Sequence, residues 1–183
     1  FDVKCTNLLA KVITEAGGNP IMSATGHFHI KNTLRENNAP LAGEMSGHIF
    51  FNDKWYGFDD AHYSAFRLIE IIKDCHSSLS TLIDELPQAF STPEININVS
   101  ENKKFKIVED FIKKAEFGNG EKITIDGLRV NFDDGWGLLR ASNTTPKLVL
   151  RFEANSRKRL NEIQDIFLDQ LKTIDETINI KLS

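Results

Sequence analysis

Two short polar stretches carry the residue types that could do chemistry. In "LAGEMSGHIFF", residues 41–51, Glu44, Ser46 and His48 stand at alternate positions ahead of an apolar run. Residues two apart in extended backbone project to the same side, so this spacing predicts a carboxylate, a hydroxyl and an imidazole aimed at one spot. Such a trio suits a polyhydroxylated ligand: the acid accepts from adjacent hydroxyls, and the imidazole donates to an oxyanion. In "LLRASNTTPKLVL", residues 138–150, two apolar strands enclose Arg140, Ser142, Asn143, Thr144 and Thr145. A guanidinium fork matches two oxygens of a phosphate, and the hydroxyls and backbone N–H groups supply further donors around the same tetrahedron. No glycine-rich helix start accompanies them, so the loop is unlike a P-loop. Each stretch also has a plainer reading. The first is then an exposed strand edge with incidental polarity, the second a solvated hairpin loop whose Ser and Thr bond their own backbone.

Other polar groups rank lower. His27 and His29 form an H-x-H pair with no carboxylate or thiol nearby in sequence, which argues against a metal site. Asp59 and Asp60 are placed to cap the helix that follows them. Residues 101–104 and the stretch from Arg157 to Arg159 read as solvated helix surface. Trp55 and Trp136 read as packing residues, the latter flanked by glycines that permit a tight strand entry.

Composition narrows the function classes. With 183 residues the chain can form one large or two small domains. A formal net charge of −4 argues against a general nucleic-acid binder, which needs an excess of Lys and Arg on one face. Cys5 and Cys75 lack metal-like spacing and read as reduced thiols of a cytoplasmic protein. No apolar run reaches the length of a membrane span. The opening "FDVKCT" has no methionine and reads as a cut through a strand, so a fragment is expected.

The elements that must position these groups alternate in the first half. "CTNLLAKVITEAGG" sets Leu8, Leu9, Val12 and Ile13 on one helical face and ends on a glycine pair suited to a left-handed cap. A short extended run, "PIMSATG", precedes a polar helix, "HIKNTLRENN". A strand follows through "HIFF". "AHYSAFRLIEIIKD" then repeats apolar residues at Ala65, Phe66, Ile69 and Ile72. Pro87 and Pro93 bracket a polar segment that cannot continue a helix and reads as a linker. Beyond it come a strand with Ile95, Ile97 and Val99 alternating, and a helix with Phe105, Val108, Phe111 and Ile112 on its buried face. Four short strands follow, "KITIDG", "LRVNF", "WGLLRAS" and "KLVLRFEA", and a last helix through Leu160, Ile163, Phe167, Leu171 and Ile174. The pattern is α/β followed by a small α+β domain.

"GEMSGH" and "RASNTTP", about one domain apart, resemble the sugar-recognition and phosphate-recognition loops of the α-D-phosphohexomutase family, in its phosphomannomutase/phosphoglucomutase branch. The similarity continues through "DVKCT", "TGH", "WYGFDD", "STPEININV" and "LRFEA". It implies a four-domain parent enzyme, with residues 1–88 as an N-terminally truncated third domain, a mixed α/β layered structure. Residues 89–183 would be the fourth domain, a small TATA-binding-protein-like α+β fold. The implied reaction exchanges phosphate between the 1- and 6-positions of a hexose through a hexose 1,6-bisphosphate. By this resemblance Glu44, Ser46, Lys4 and His27 serve the sugar, and His48 lies near the reacting oxygens. Arg140, Ser142, Asn143, Thr144 and Thr145 clasp the phosphate that is not reacting, and a hinge lies between Pro87 and Pro93. Met45, where amino-sugar relatives tend to carry glutamine, favours a hexose. The family's phosphoserine loop and aspartate-rich Mg2+ loop do not occur in this sequence, so the chain alone is expected to lack turnover. The implied partners are a hexose phosphate and the missing N-terminal domains of the same polypeptide. The competing expectation is a stand-alone, non-catalytic sugar-phosphate-binding module.

Overall fold

The computed structural model describes residues 1–178. Two compact units, Phe1–Gln88 and Ala89–Ser183, make up the chain.

In the first unit, helix α1 (Asn7–Glu15) starts where the Thr6 hydroxyl accepts the Leu8 N–H. It ends where Gly17, at φ 81°, turns the chain so that the Gly18 N–H reaches the Ile13 carbonyl at 2.8 Å. Helix α2 (His27–Glu36) buries Ile30 and Leu34 against Phe50. Phe50 belongs to an antiparallel hairpin of β1 (Leu41–Gly43) and β2 (Ile49–Phe51). Helices α3 (Ala61–Cys75) and α4 (Leu79–Asp84) follow. The apolar stripe predicted on α3 forms, but it is not buried: Phe66 is 69% and Ile69 58% exposed. Helical periodicity reports which residues share a face; it does not report that the same unit supplies a partner for that face.

The frame of this unit is polar. The Asp2 carboxylate is fully buried. Its Oδ1 accepts the Cys5 thiol at 3.1 Å and the Met45 N–H at 3.3 Å, and its Oδ2 accepts the Thr25 hydroxyl at 3.2 Å. The buried Lys4 ammonium lies 3.8 Å from Oδ2. A parallel bridge between Asp2 and Ser23 fixes the backbone beside these contacts. One side chain thus ties together segments near residues 5, 25 and 45.

The second unit is a six-stranded sheet with helices on one face. In order across the sheet run β3 (Phe90–Ser91), β8 (Lys147–Ala154), β7 (Gly135–Ala141), β6 (Leu128–Phe132) and β5 (Glu121–Ile123). Strand β4 (Ile95–Asn98) also pairs with β8, and every pairing is antiparallel. Alternation gives the sheet two faces. Leu128, Val130, Leu139, Leu148, Leu150 and Phe152 enter a core with α5 (Lys104–Lys114) and α6 (Arg157–Ile174). On the residues between them, Arg129 lies 3.8 Å over the Trp136 ring, and the Trp136 indole N–H donates to Glu153 at 3.0 Å. Trp136 is a packing residue, as its sequence setting implied.

Two expectations shift. On α5, Phe105 is exposed, and the buried face is Lys104, Ile107, Val108 and Phe111. That set has ideal helical spacing, but its first member is a lysine, so an apolar pattern picks the neighbouring phenylalanine instead. The proline-flanked linker also contains β3, whose residues pair with Ala154 and Glu153. Nothing local marks a two-residue strand held by a partner more than sixty positions away.

Two measurements check this description. Gly137 takes the Phe167 ring where a Cβ would stand 2.5 Å from it. Gly137→Ala should therefore cost about 1–3 kcal/mol by overpacking, read as a lower urea midpoint at unchanged slope. The Cys5 thiol, first by burial and then by the charge of Asp2, is pushed up to about 12. At pH 8 a maleimide should label one cysteine per native chain, the exposed Cys75. Asp2→Ala should make Cys5 a second target. Prompt double labelling of the unaltered protein would contradict the buried frame.

Candidate functional site

The first cluster is built on the β1–β2 turn. Glu44, Ser46 and His48 do not alternate along extended backbone as their spacing predicts. Residues 45–47 form a turn, closed by the Gly47 N–H on the Glu44 carbonyl and the Glu44 N–H on the His48 carbonyl, each at 2.9 Å. Gly47 sits at φ 92°, a left-handed conformation that favours glycine. The hairpin rather than the pleat therefore brings Glu44 and His48 together, and it leaves Ser46 exposed at the tip.

Glu44 is buried beside the start of α2. Its Oε1 accepts the Gly26 N–H at 2.5 Å, so the carboxylate supplies the acceptor that the N-cap glycine lacks. The next residue of α2, His27, faces His48 edge to face with ring centroids 4.4 Å apart. One ligating atom from each of His27, Glu44 and His48 lies within 4.8 Å of the other two. His29 is not part of this group. The H-x-H spacing in the sequence is thus uninformative, because the partners of His27 come from the hairpin.

Asp59 orients His48. Its Oδ2 lies 2.7 Å from His48 Nδ1 and 3.7 Å from His27 Nε2, and its Oδ1 accepts the Ile49 N–H at 3.2 Å. Burial raises the Asp59 carboxyl. The hydrogen bonds from His48 and the Ile49 N–H, with the charges of both histidines, outweigh it and hold the group below the ordinary aspartate range. Opposite an ionised Asp59, His48 Nδ1 is the donor of the pair, and Nε2 is the nitrogen that Asp59 does not engage. Asp59 therefore does not cap α3; Asp60 does, by accepting the Tyr63 N–H at 2.9 Å. Trp55 stacks on Tyr63 at 4.3 Å and donates to Asp60, which confirms its packing role.

The second cluster, in the second unit, is the loop 142–146 between β7 and β8. Ser142 holds it in shape: its Oγ accepts the Thr145 hydroxyl at 2.8 Å, the Thr145 N–H at 3.2 Å and the Thr144 N–H at 3.4 Å. The Ser and Thr groups do bond their own loop, and two of the amides expected to face a ligand point at Ser142. Asn143 and Thr144 are exposed. Arg140 is buried, and Asp126 takes its Nε at 2.9 Å. That ion pair through Nε fixes the plane of the guanidinium.

Lys104 underlies the same loop. Though surface was expected, it is 1% exposed, donates to the Thr145 carbonyl at 3.1 Å and pairs with Glu101 at 2.6 Å. Arg159 also departs from a free surface residue, through its pairing with Asp134 at 2.9 Å. Asp2, Thr25, Asp59, Lys104 and Asp126 are the residues that sequence reasoning missed as parts of these clusters. Only the i, i+3, i+4, i+7 spacing of Lys104 with three apolar residues offered a signal.

Residues 1–90 match the family model for phosphoglucomutase/phosphomannomutase, alpha/beta/alpha domain III, and residues 94–170 match the model for the C-terminal domain. A phosphomannomutase/phosphoglucomutase of Pseudomonas aeruginosa PAO1 is 49% identical over 98% of the chain, and a phosphoglucomutase of Neisseria gonorrhoeae 52% identical over 91%. The chain spans 39% and 36% of the lengths of these two relatives. The crystal structure of a phosphoglucomutase/phosphomannomutase family protein from Burkholderia thailandensis, 48% identical, superposes with a TM-score of 0.91, covering 99% of this chain and 38% of that one. Matched along nearly its whole length by two successive domain models, the chain belongs to the phosphoglucomutase/phosphomannomutase family, of which it holds domain III and the C-terminal domain.

Proposed function

We propose that this chain supplies the substrate recognition of a phosphomannomutase/phosphoglucomutase that interconverts hexose 1-phosphate and hexose 6-phosphate through a hexose 1,6-bisphosphate. The observation that carries this reading is the grouping of His27, at the start of α2, with Glu44 and His48 on the hairpin turn held by Asp2, in a chain of this family. Glu44 accepts from sugar hydroxyls through the oxygen that Gly26 does not take, and Ser46 adds a hydroxyl from the exposed tip. His48 holds or moves a proton at Nε2 near the reacting oxygens, with Asp59 fixing its ring. Lys4 and His27 add donors and positive charge. In the second unit, Arg140 grips the phosphate that is not reacting, with Ser142, Asn143, Thr144 and Thr145 around it.

This division of labour suits phosphoryl transfer, which gains chiefly from positioning and charge stabilisation. A firm hold on the distant phosphate decides which hydroxyl is presented for reaction. Mg2+ in the parent enzyme would neutralise developing charge on the transferred group. The described residues do not fit it: their one grouping of three ligating side chains has two imidazole nitrogens, whereas Mg2+ takes hard oxygen donors. The magnesium ligands and the phosphoserine are therefore assigned outside this sequence.

Two tests follow. The purified 183-residue chain, given mannose 1-phosphate and an activating bisphosphate, should form no mannose 6-phosphate in a coupled assay; clear turnover would refute the assignment of roles. The same chain should bind hexose phosphates weakly, shifting the amide resonances of residues 142–145. Arg140→Lys should weaken that binding about 10- to 100-fold, because a charge-assisted hydrogen bond is worth roughly 1.5–3 kcal/mol.

A further inference from the structure

The His27, Glu44 and His48 grouping has a property that sugar recognition does not require. We propose that these three side chains bind a borderline divalent transition metal of the Zn2+ class, with a fourth position open to water or a competing oxygen ligand. Two imidazoles and one carboxylate form a donor set of that kind, and three protein ligands with one open position are a recurring arrangement for Zn2+. The proposal rests on donor geometry and does not depend on the mutase reading.

Three observations carry it. First, the ligating atoms lie within 4.8 Å of one another. Metal–nitrogen and metal–oxygen bonds of about 2.0–2.2 Å place tetrahedral ligands about 3.3–3.5 Å apart, so each side chain has on the order of 1 Å to move. His27 and His48 have 44% and 45% of their side chains exposed and can rotate that far. Secondly, the outer partners are already in place. Asp59 accepts a hydrogen bond from His48 Nδ1, which fixes the ring and leaves Nε2 as the nitrogen not engaged by Asp59. The Gly26 N–H bonds Oε1 of Glu44 and so fixes the carboxylate. Thirdly, the segments that carry the ligands are not free to drift apart, because Asp2 bonds both the Thr25 hydroxyl and the Met45 N–H. Imidazole donors also discriminate against Mg2+, so a large excess of Mg2+ should not displace the ion.

The consequence is competition. A metal on Glu44 and His48 occupies the groups proposed to hold the sugar, so Zn2+ would act as an inhibitor at this face rather than as a catalytic ion.

The experiment is a Zn2+ titration of the full chain against a chromophoric chelator in excess Mg2+, with X-ray absorption of the 1:1 complex. One Zn2+ per chain with nitrogen and oxygen neighbours and no sulfur is expected. His27→Gln and His48→Asn should each weaken binding more than about 100-fold, and Asp59→Asn about 10- to 100-fold, as losses of an outer partner do. Cys75→Ser should leave binding unchanged. Far-UV circular dichroism of each variant separates lost ligation from lost folding, and the mild Asp59→Asn change keeps the test open should a histidine variant unfold. A sulfur neighbour, or affinity changed less than threefold in all three folded variants, would overturn the proposal and assign the metal to Cys75, His76 or scattered surface imidazoles. Hexose-phosphate binding read at residues 142–145 is independent of either result.

Discussion

The first unit depends on one buried carboxylate. Asp2 is removed from water, and a carboxylate there is tolerable only if its oxygens are satisfied by donors. Those donors come from three places: Cys5 beside it in sequence, Thr25 ahead of α2, and Met45 in the hairpin turn. The requirement runs both ways. Removing the carboxylate would take away the contacts it makes with Lys4, Cys5, Thr25 and Met45, and the segments that carry His27, Glu44 and His48 would lose their common anchor. The small apolar cluster of Ile30, Leu34 and Phe50 cannot supply such precision alone, since apolar contact is non-directional.

The second unit solves the same problem by the opposite means. Its loop at 142–146 projects from two long strands that are buried on both faces, so the ends of the loop are rigid before any polar contact is counted. The buried Lys104 then pulls on the Thr145 carbonyl from below, while Asp126 sets the plane of Arg140. One unit holds its site with a directional polar hub, the other with a packed sheet and two charged struts.

What could be read from the sequence follows from how local each cause is. The last helix was legible in its buried face: Leu160, Ile163, Phe167 and Leu171 are buried as their spacing requires, Ile174 is partly buried, and Leu168 joins them unannounced. The strands of the second unit other than β3 were legible for the same reason, as alternation maps directly onto two faces. The α5 helix was legible except for its register, because a lysine occupies a core position. The 44–48 stretch brings Glu44 and His48 together, but by a geometry other than the one their spacing implied. Alternation implied extended backbone, whereas Gly47 at φ 92° folds the segment into a turn that still gathers Glu44 and His48. Asp2 and Asp59 gave no signal, since their partners stand 43 and 32 residues away at the farthest and no pattern within a window connects them.

The self-bonded form of the 142–146 loop bears on binding as well as on shape. Three donors of this loop converge on Ser142 Oγ, which removes conformational freedom before a ligand arrives. A phosphate that meets an ordered loop loses less entropy in forming its contacts than one that must order a disordered loop. On the proposed phosphate binding, the cost is that the Thr144 and Thr145 amides would be exchanged from a neutral hydroxyl to the anion. That exchange is favourable, because hydrogen bonds to a charged acceptor are roughly twice as strong as those between neutral groups. The loop's bonding to itself and its proposed service to a phosphate are therefore not rival explanations of the same residues. The first sets the geometry that the second would use, and Arg140, already fixed through Nε by Asp126, would supply the charge that makes the exchange worthwhile.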